Sequence, residues 1–426
     1  MKKIMTHDDV MWELPIPSAA KIFGSSLKSN SQPDDHAVFR SWMGLALNQA
    51  SLKAVFPKIT HVLGHHVDQW LSEAGPVQLD EKTRFMMVEV AVSAFGRLDV
   101  NQQMMDRLCE DALVVQKGLY VVPIYLPGTN WYKAVHKRTS YLKLLEGILR
   151  VRFEVDAAGC ITESNLLEAG KEKVPGSVDT TLAVVQECYE RKVKADVRYI
   201  AERLLGNTVA ASETTSSTLL ATMIAIALVP RVVERLRQEQ AEVLSAHGSE
   251  LTYEALQKSV MPYLDATVRE STRLLPSVHG VFRRAKRDFQ IGDYTFKKGE
   301  KMMVSTDLLH ALDPCCMEEG MSSLSEITGD IPLYVDPSRL LTSFQPERWL
   351  EENTAKVPNL HSFSFGQHSC LGMNAAFLEI KCALALLLRK STWELLNAKP
   401  EIKFLPYTHL ADGPAKFKFC PNPLKP

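Results

Sequence analysis

Apolar residues recur at mixed spacings of three and four through residues 36–72, 81–116 and 131–154, the period that lays one apolar stripe along a helix. The stretch 179–247 reads as a long helix through Ala221 and a second helix after Pro230, because proline ends or restarts a helix. Residues 261–275 carry another helical pattern, stopped by Pro276. Strand character concentrates in 280–305, where GDYTFKKGEKMMVS offers turns at Gly292-Asp293 and Lys298-Gly299 between β-forming residues. Residues 311–343 are irregular and polar. The helix expected over 371–391 is rich in Ala and Leu, so it must pack deeply. The tail, broken by Pro400, Pro406, Pro414, Pro421, Pro423 and Pro426, reads as loop with short strands. No repeat or Gly/Ser linker divides the chain. These patterns imply a mainly α protein with a small β portion, organised as one domain over residues 1–426.

Composition narrows the function. A formal net charge of −1 over 426 residues argues against nucleic-acid binding, which needs a concentrated basic surface. Eight cysteines are scattered at 109, 160, 188, 315, 316, 370, 382 and 420 with no C-x-x-C pair. That spacing excludes a zinc ribbon and favours a reducing compartment over a disulfide scaffold. Lys2 and Lys3 are followed by no apolar stretch, and the longest apolar run, Leu219 to Pro230, is shorter than the roughly 20 residues a spanning helix needs. No membrane association is therefore encoded as written. The expected location is cytoplasmic, or peripheral to the endoplasmic reticulum if a longer, anchored form exists.

Phe363-Ser-Phe-Gly366-Gln-His368-Ser-Cys370-Leu-Gly372 runs straight into the last long helix. A cysteine at a helix N-terminus is favoured as thiolate by backbone amides, and glycine lets a loop turn tightly and approach closely. For an isolated cysteine the simpler account is a buried structural thiol. The ten-residue pattern, however, resembles the haem-binding signature of the cytochrome P-450 family, F-x-x-G-x-[RH]-x-C-x-G. The resemblance makes Cys370 the axial ligand of a haem b iron, a thiolate whose electron density helps split dioxygen. It also makes Phe363 the shield of the sulfur, His368 a partner of a haem propionate, and Gly366 and Gly372 the turn-formers around them.

Three further segments resemble that family in the same chain order. Glu270-Ser-Thr-Arg273 matches its E-x-x-R, and Phe344-Gln-Pro346-Glu347-Arg348-Trp349 matches F-x-P-E-R-[FW]. The resemblance implies a buried triad of Glu270, Arg273 and Arg348 supporting the thiolate loop, where the alternative is a surface i,i+3 pair. Ala210-Ala211-Ser212-Glu213-Thr214-Thr215 resembles the oxygen-activating helix, with Ala211 where Gly is frequent. Glu213 and Thr214 then assist proton delivery; the alternative is a solvated Ser/Thr face. His36, Arg40 and Arg283 match positions that bind haem propionates, a task suited to planar guanidinium donors; the alternative for each is a solvated basic residue.

Leu126-Pro-Gly-Thr129-Asn-Trp131-Tyr-Lys133-Ala, with Arg138 after it, resembles one branch, containing plant brassinosteroid and abscisic-acid hydroxylases, retinoic-acid hydroxylases and a cyanobacterial relative. It otherwise reads as a turn centred on Pro127-Gly128. The branch implies an apolar isoprenoid-type substrate (sterol, retinoid or terpenoid), with pocket candidates at Leu119–Leu126 and Pro276–Phe282. The expected function is a haem-thiolate monooxygenase using O2 and electrons from NAD(P)H, delivered by a separate reductase or ferredoxin. Alternatives are a haem-thiolate isomerase or dehydratase acting on a peroxide, and a haem-binding protein without turnover.

Two departures from the family pattern are expected. The propionate motif begins at His36, leaving too little chain before it for the family's N-terminal helices and most of its first sheet. The fold is thus expected to be N-terminally shortened, with the strands of 280–305 lacking partners and exposing an edge. An insertion of about 313–332, containing Cys315 and Cys316, is expected as a surface loop.

Overall fold

The structure is a computed structural model describing residues 2–7, 9–14, 16–25, 32–165, 176–311, 313, 334–335, 341, 343–350, 357–398, 400–403, 409–410 and 412–424. In chain order the helices are α1 (Lys2–Met5), α2 (Pro17–Phe23), α3 (Pro33–Ala46), α4 (Gln49–Ser72), α5 (Leu79–Glu89), α6 (Gln102–Leu119), α7 (Asn130–Arg152), α8 (Thr180–Glu190), α9 (Val197–Leu228), α10 (Pro230–His247), α11 (Pro262–Leu274), α12 (Thr306–Ala311) and α13 (Met373–Lys390). The strands are β1 (Val10–Trp12), β2 (Val77–Gln78), β3 (Gly280–Ala285), β4 (Phe289–Ile291), β5 (Tyr294–Phe296), β6 (Lys301–Ser305), β7 (Tyr334–Val335), β8 (Ser391–Leu395), β9 (Ile402–Lys403), β10 (His409–Leu410) and β11 (Lys416–Pro421).

Three helical patterns that run on in the sequence are broken in the structure, each by a capping side chain. The 36–72 stretch splits at Asn48, whose Oδ1 accepts from the Ser51 amide at 2.9 Å. The 81–116 stretch splits after a π-helical segment, Val90–Phe95, and restarts where Asn101 accepts from the Met104 amide. The stretch 179–247 holds an extra break between α8 and α9, closed when Asp196 caps α9 at the Tyr199 amide. Asn and Asp satisfy the free amides of a first turn, and the apolar period survives across each break because both helices face one core. Pro230 stands in the first turn of α10, where a missing N–H costs nothing.

Helix α9 is the axis of the molecule. Its 32 residues span about 48 Å at 1.5 Å per residue. Its N-terminal half, Val197 to Val209, packs in one hydrophobic cluster with α2, α3, α6, α7 and α8. Its C-terminal half, Leu219 to Ile226, packs in a second cluster with α4, α10, α11 and α13. Residues 210–216 therefore lie at the seam between two cores. The segment Gly366–Lys390, which contains α13, is long and apolar enough to cross a membrane, yet 67% of its most apolar 18-residue stretch is buried inside the fold. Helix α13 is the deeply packed helix its composition predicts.

The sheets are small: β1-β3-β6, β2-β11-β8, β10-β9-β7 and the hairpin β4-β5. The hairpin turns at Gly292, with φ 59°. The expectation of an exposed edge on the 280–305 strands is overturned. Strand β1 pairs antiparallel with β3 in the register Val10↔Ala285, Met11↔Arg284 and Trp12↔Arg283, while β6 covers the other side. Three residues suffice because each ladder bond satisfies a backbone group that would otherwise be unpaired. The insertion expected at 313–332, including Cys315 and Cys316, falls outside the described residues except for Asp313. The Asp313 carboxylate accepts from the Asn359 amide and side chain.

Candidate active site

The thiolate loop is a tight turn onto α13. The Phe363 carbonyl accepts from the Cys370 amide at 2.8 Å, and a 3-10 turn occupies Gly366–His368. Gly366 has φ 71°, a conformation costly for residues with a Cβ, and an added Cβ would lie 3.4 Å from the Met5 carbonyl. Gly372, at the N-cap of α13, has an ordinary φ of −85°. A Cβ there would meet Cys370 Sγ at 4.0 Å, so only Gly366 needs glycine for its turn. Phe363 lies in the cavity wall and packs against Phe377, with ring centroids 5.4 Å apart.

Cys370 opens onto a cavity of about 490 Å³, within the size range of small-molecule sites. The sulfur is reached from the cavity although protein surrounds it. Burial pushes its thiol upward, opposed by the Gly372 amide and the charge of Arg40. Ala210, Ala211, Thr214 and Thr215 of α9 line the same cavity, as do Ala91, Val92 and Phe95 of the π-helical segment. Helices often carry such bulges at functional sites.

Thr214 and Glu213 diverge. The Thr214 hydroxyl donates to the Ala210 carbonyl at 2.8 Å and its side chain lines the cavity. Glu213 is 5% exposed and faces α5, where Arg84 Nε reaches both carboxylate oxygens at 3.3 Å. Burial raises the Glu213 carboxyl above its usual range, with Arg84 opposing that rise. Glu213 is thus neither a solvated acid nor a lining residue, but a buried acid paired with Arg84.

At one end of the cavity, basic groups converge. Arg40 Nη1 donates to the Ser369 carbonyl at 2.6 Å, and buried Arg283 donates to the carbonyl of Phe282. Neither forms an ion pair with a carboxylate among the described residues. His36 and His368 stack with centroids 4.0 Å apart. Burial, then Arg40 and Arg203, hold His36 down at about 4; burial, then His36, Arg283 and Arg40, hold His368 down at about 3. A buried guanidinium and a half-buried one, both without counter-charge, call for an anion. A haem, with two carboxylates on an apolar disc, fits these residues: thiolate at Cys370, apolar walls, and cations at one end.

Below the loop, Glu270 is fully buried and its two oxygens collect five donors. Arg273 Nε and Nη2 approach at 2.9 Å, Arg348 Nε at 3.1 Å, Trp349 Nε1 at 2.9 Å and the Gln345 amide at 3.1 Å. Burial alone would raise the Glu270 carboxyl, but the hydrogen bonds and charges of Arg273 and Arg348 hold it below the usual carboxylate range. The network ties α11 to the segment leading into the thiolate loop.

The branch motif builds scaffold. Thr129 caps α7 by accepting from the Tyr132 amide, and Arg138 joins the Ile22 carbonyl to Glu202 at 2.8 and 2.7 Å. The pocket candidates at Leu119–Leu126 and Pro276–Phe282 do not line the cavity; Val122, Ile124, Tyr125 and Leu126 are exposed, since their segment follows the end of α6 on the surface. Sequence reasoning also missed Arg84, the fully buried Arg203–Glu187 pair at 2.8 Å and Glu379. Glu379 lines the cavity, and its carboxyl is pushed up by burial to about 8. Glu379 is a charge on an otherwise apolar helix, the signal that could have flagged it. Trp12, also in the cavity wall, had no such signal.

Comparison with known proteins agrees with this geometry. The family model Cytochrome P-450 matches residues 141–314 and 333–421. An abscisic acid 8'-hydroxylase of Solanum lycopersicum is 25% identical over 393 residues, covering 92% of this chain and 73% of that protein. A beta-amyrin 11-oxidase of Glycyrrhiza uralensis is 22% identical, covering 97% and 77%. Among solved structures, the retinoic acid bound cyanobacterial CYP120A1 superposes with a TM-score of 0.76 at 24% identity, covering 99% of this chain and 87% of that one. The chain belongs to the cytochrome P-450 family of haem-thiolate monooxygenases.

Proposed function

We propose that this chain hydroxylates an apolar isoprenoid-type substrate, with electrons from NAD(P)H supplied through a separate reductase or ferredoxin. The observation that carries this reading is the cavity itself, apolar along Ala91, Val92, Phe95, Phe39 and Met43, with Cys370 on one wall and Thr214 on the facing helix. The similarity to an abscisic acid 8'-hydroxylase, a beta-amyrin 11-oxidase and a retinoic acid bound relative supports the substrate class.

When bound, haem supplies the binding and reductive activation of dioxygen. Cys370 would hold its iron, with Arg40, Arg283, His36 and His368 for its carboxylates. The chain's own groups do the rest. Small side chains at Ala210 and Ala211 leave room beside α9, and the Thr214 hydroxyl offers a hydrogen-bonding group where the wall is otherwise apolar. Glu213 stands next to Thr214 in the chain, and its carboxyl, raised by burial while Arg84 limits the rise, would take part in proton transfer toward Thr214. Apolar walls exclude bulk water, which strengthens each remaining polar contact.

The test is a panel of terpenoid, sterol and retinoid compounds, scored by displacement of the haem Soret band and by product formation with a surrogate reductase. Soret displacement and a mono-oxygenated product from at least one compound are expected. Displacement by none of them, with the haem bound through thiolate, contradicts the substrate class. Conversion of a hydroperoxide without reductase contradicts the oxygenase reading and favours an isomerase or dehydratase.

A further inference from the structure

The N-terminal segment reaches the cofactor site. Besides its register with β3, it is held by Glu13, which pairs with Arg284 at 3.3 Å and Lys301 at 3.2 Å. The Lys286 amide donates to the Asp9 carbonyl at 2.7 Å, and the His7 ring lies 4.4 Å from Phe289. Met5 and Thr6 sit against Gly366, the one glycine of the thiolate loop with a left-handed backbone. Thus the segment touches both the sheet and the loop.

Trp12 then turns its ring into the cavity wall. Its indole stacks on His368, centroids 6.1 Å apart and planes 17° apart, and His368 stacks on His36 at 4.0 Å and 18°. Three rings from β1, the thiolate loop and α3 thereby form one ladder at the cavity end where Arg40 and Arg283 converge. Trp12 is also the register partner of Arg283. His368 sits on a short 3-10 turn, and a loop side chain without such support retains rotamer freedom that must be lost when it binds. An imidazole held in place presents its N–H to a carboxylate in a fixed direction.

We propose that Trp12 is a cofactor-positioning residue: by stacking on His368 it fixes the His368–His36 pair beside Arg40 and Arg283, making the N-terminal segment part of the haem site. The proposal rests on the reading that Cys370 holds a haem. Trp12 acts through the histidines and touches no reacting atom. Loss of an aromatic stack and of the order it imposes corresponds to about a tenfold faster loss of haem.

The experiment uses the full chain loaded with haem, as wild type, Trp12→Ala, Trp12→Phe, Trp12→Leu and Glu13→Gln. Haem transfer to an excess of apomyoglobin gives the dissociation rate, far-ultraviolet circular dichroism reports the fold, and the reduced carbon-monoxide spectrum reports thiolate ligation. Trp12→Ala is expected to lose haem about tenfold faster with unchanged helical content. Trp12→Phe, which keeps an aromatic face, should stay within about twofold of wild type, as should Glu13→Gln, which loosens the strand but keeps the stack. A wild-type rate in Trp12→Ala overturns the proposal while leaving haem-thiolate ligation standing. Should Trp12→Ala not fold, the comparison of Leu with Phe decides: faster loss in Leu supports the stack, equal rates overturn it. A wild-type chain that binds haem without a thiolate band overturns the family reading of Cys370 itself, and with it the proposal.

Discussion

Replacing Glu270 by glutamine keeps the shape of the side chain and removes its charge. The amide can accept at only one end. If the new NH2 stands in the Oε2 position, Arg273 Nε and Trp349 Nε1 lose their acceptor. If it stands at Oε1, Arg273 Nη2, Arg348 Nε and the Gln345 amide lose theirs. In the less costly orientation two donors are deprived of a buried acceptor at about 1–3 kcal/mol each, and breaking a buried ion pair costs about 3–5 kcal/mol. Both routes give roughly 4 kcal/mol, a large share of the about 5–15 kcal/mol that keeps a domain folded. The assay is urea unfolding of the haem-loaded protein, followed by circular dichroism and by the Soret band. The Glu270→Gln midpoint should fall, and the thiolate signal should disappear before helical content, because the network leads into the loop carrying Cys370. Acid should also act on the wild type. A carboxyl held below its usual range stabilises the fold above about pH 4.5 and loses that contribution as pH falls through its lowered value, a dependence the glutamine variant lacks. A midpoint shift equivalent to less than about 1 kcal/mol would refute the reasoning.

Three other outcomes follow from the same structure. Glu379, raised to about 8, favours the fold fully below the unfolded value near 4.5 and loses that contribution as pH rises through 8, about 3 kcal/mol by pH 7; Glu379→Gln should flatten this slope, measured as denaturant midpoints at pH 5 and pH 8, and an unchanged slope would contradict it. Arg84→Leu removes the group opposing the rise of Glu213, so the basic limb of the kcat–pH profile should move to higher pH, whereas a shift downward would exclude Glu213 from proton transfer. Gly366→Ala places a Cβ in a left-handed conformation at about 1–2 kcal/mol and should lower thermal stability without altering helical content; equal stability would show that the turn relaxes at no cost.

What the sequence reveals here depends on how local the cause is. The thiolate turn, the Glu270–Arg273 spacing and the Arg348 segment are short strings whose geometry follows from neighbouring residues, and all were readable. Helix existence was readable from periodicity, but the breaks at Asn48, Asn101 and Asp196 were hidden because the apolar stripe continues through them. Arg84 and Glu213 are 129 residues apart, so the partner of the buried acid emerges only when α5 packs on α9. The π-helical turn at Val90–Phe95 has no period of its own. Strand β1 is three residues long, too short for alternation to register, and this is why the sheet edge was expected to be bare. Trp12 belongs to that strand, and its ring contacts exist only after β1 has paired.

The most direct test of the central claim is the carbon-monoxide difference spectrum of the reduced, haem-loaded chain beside Cys370→Ser. Ligation by Cys370 predicts a Soret band far to the red of that of a histidine-ligated haem, absent from the serine variant. A band at the histidine-ligated position, or a red-shifted band that survives in Cys370→Ser, would contradict the assignment of Cys370 as the thiolate ligand.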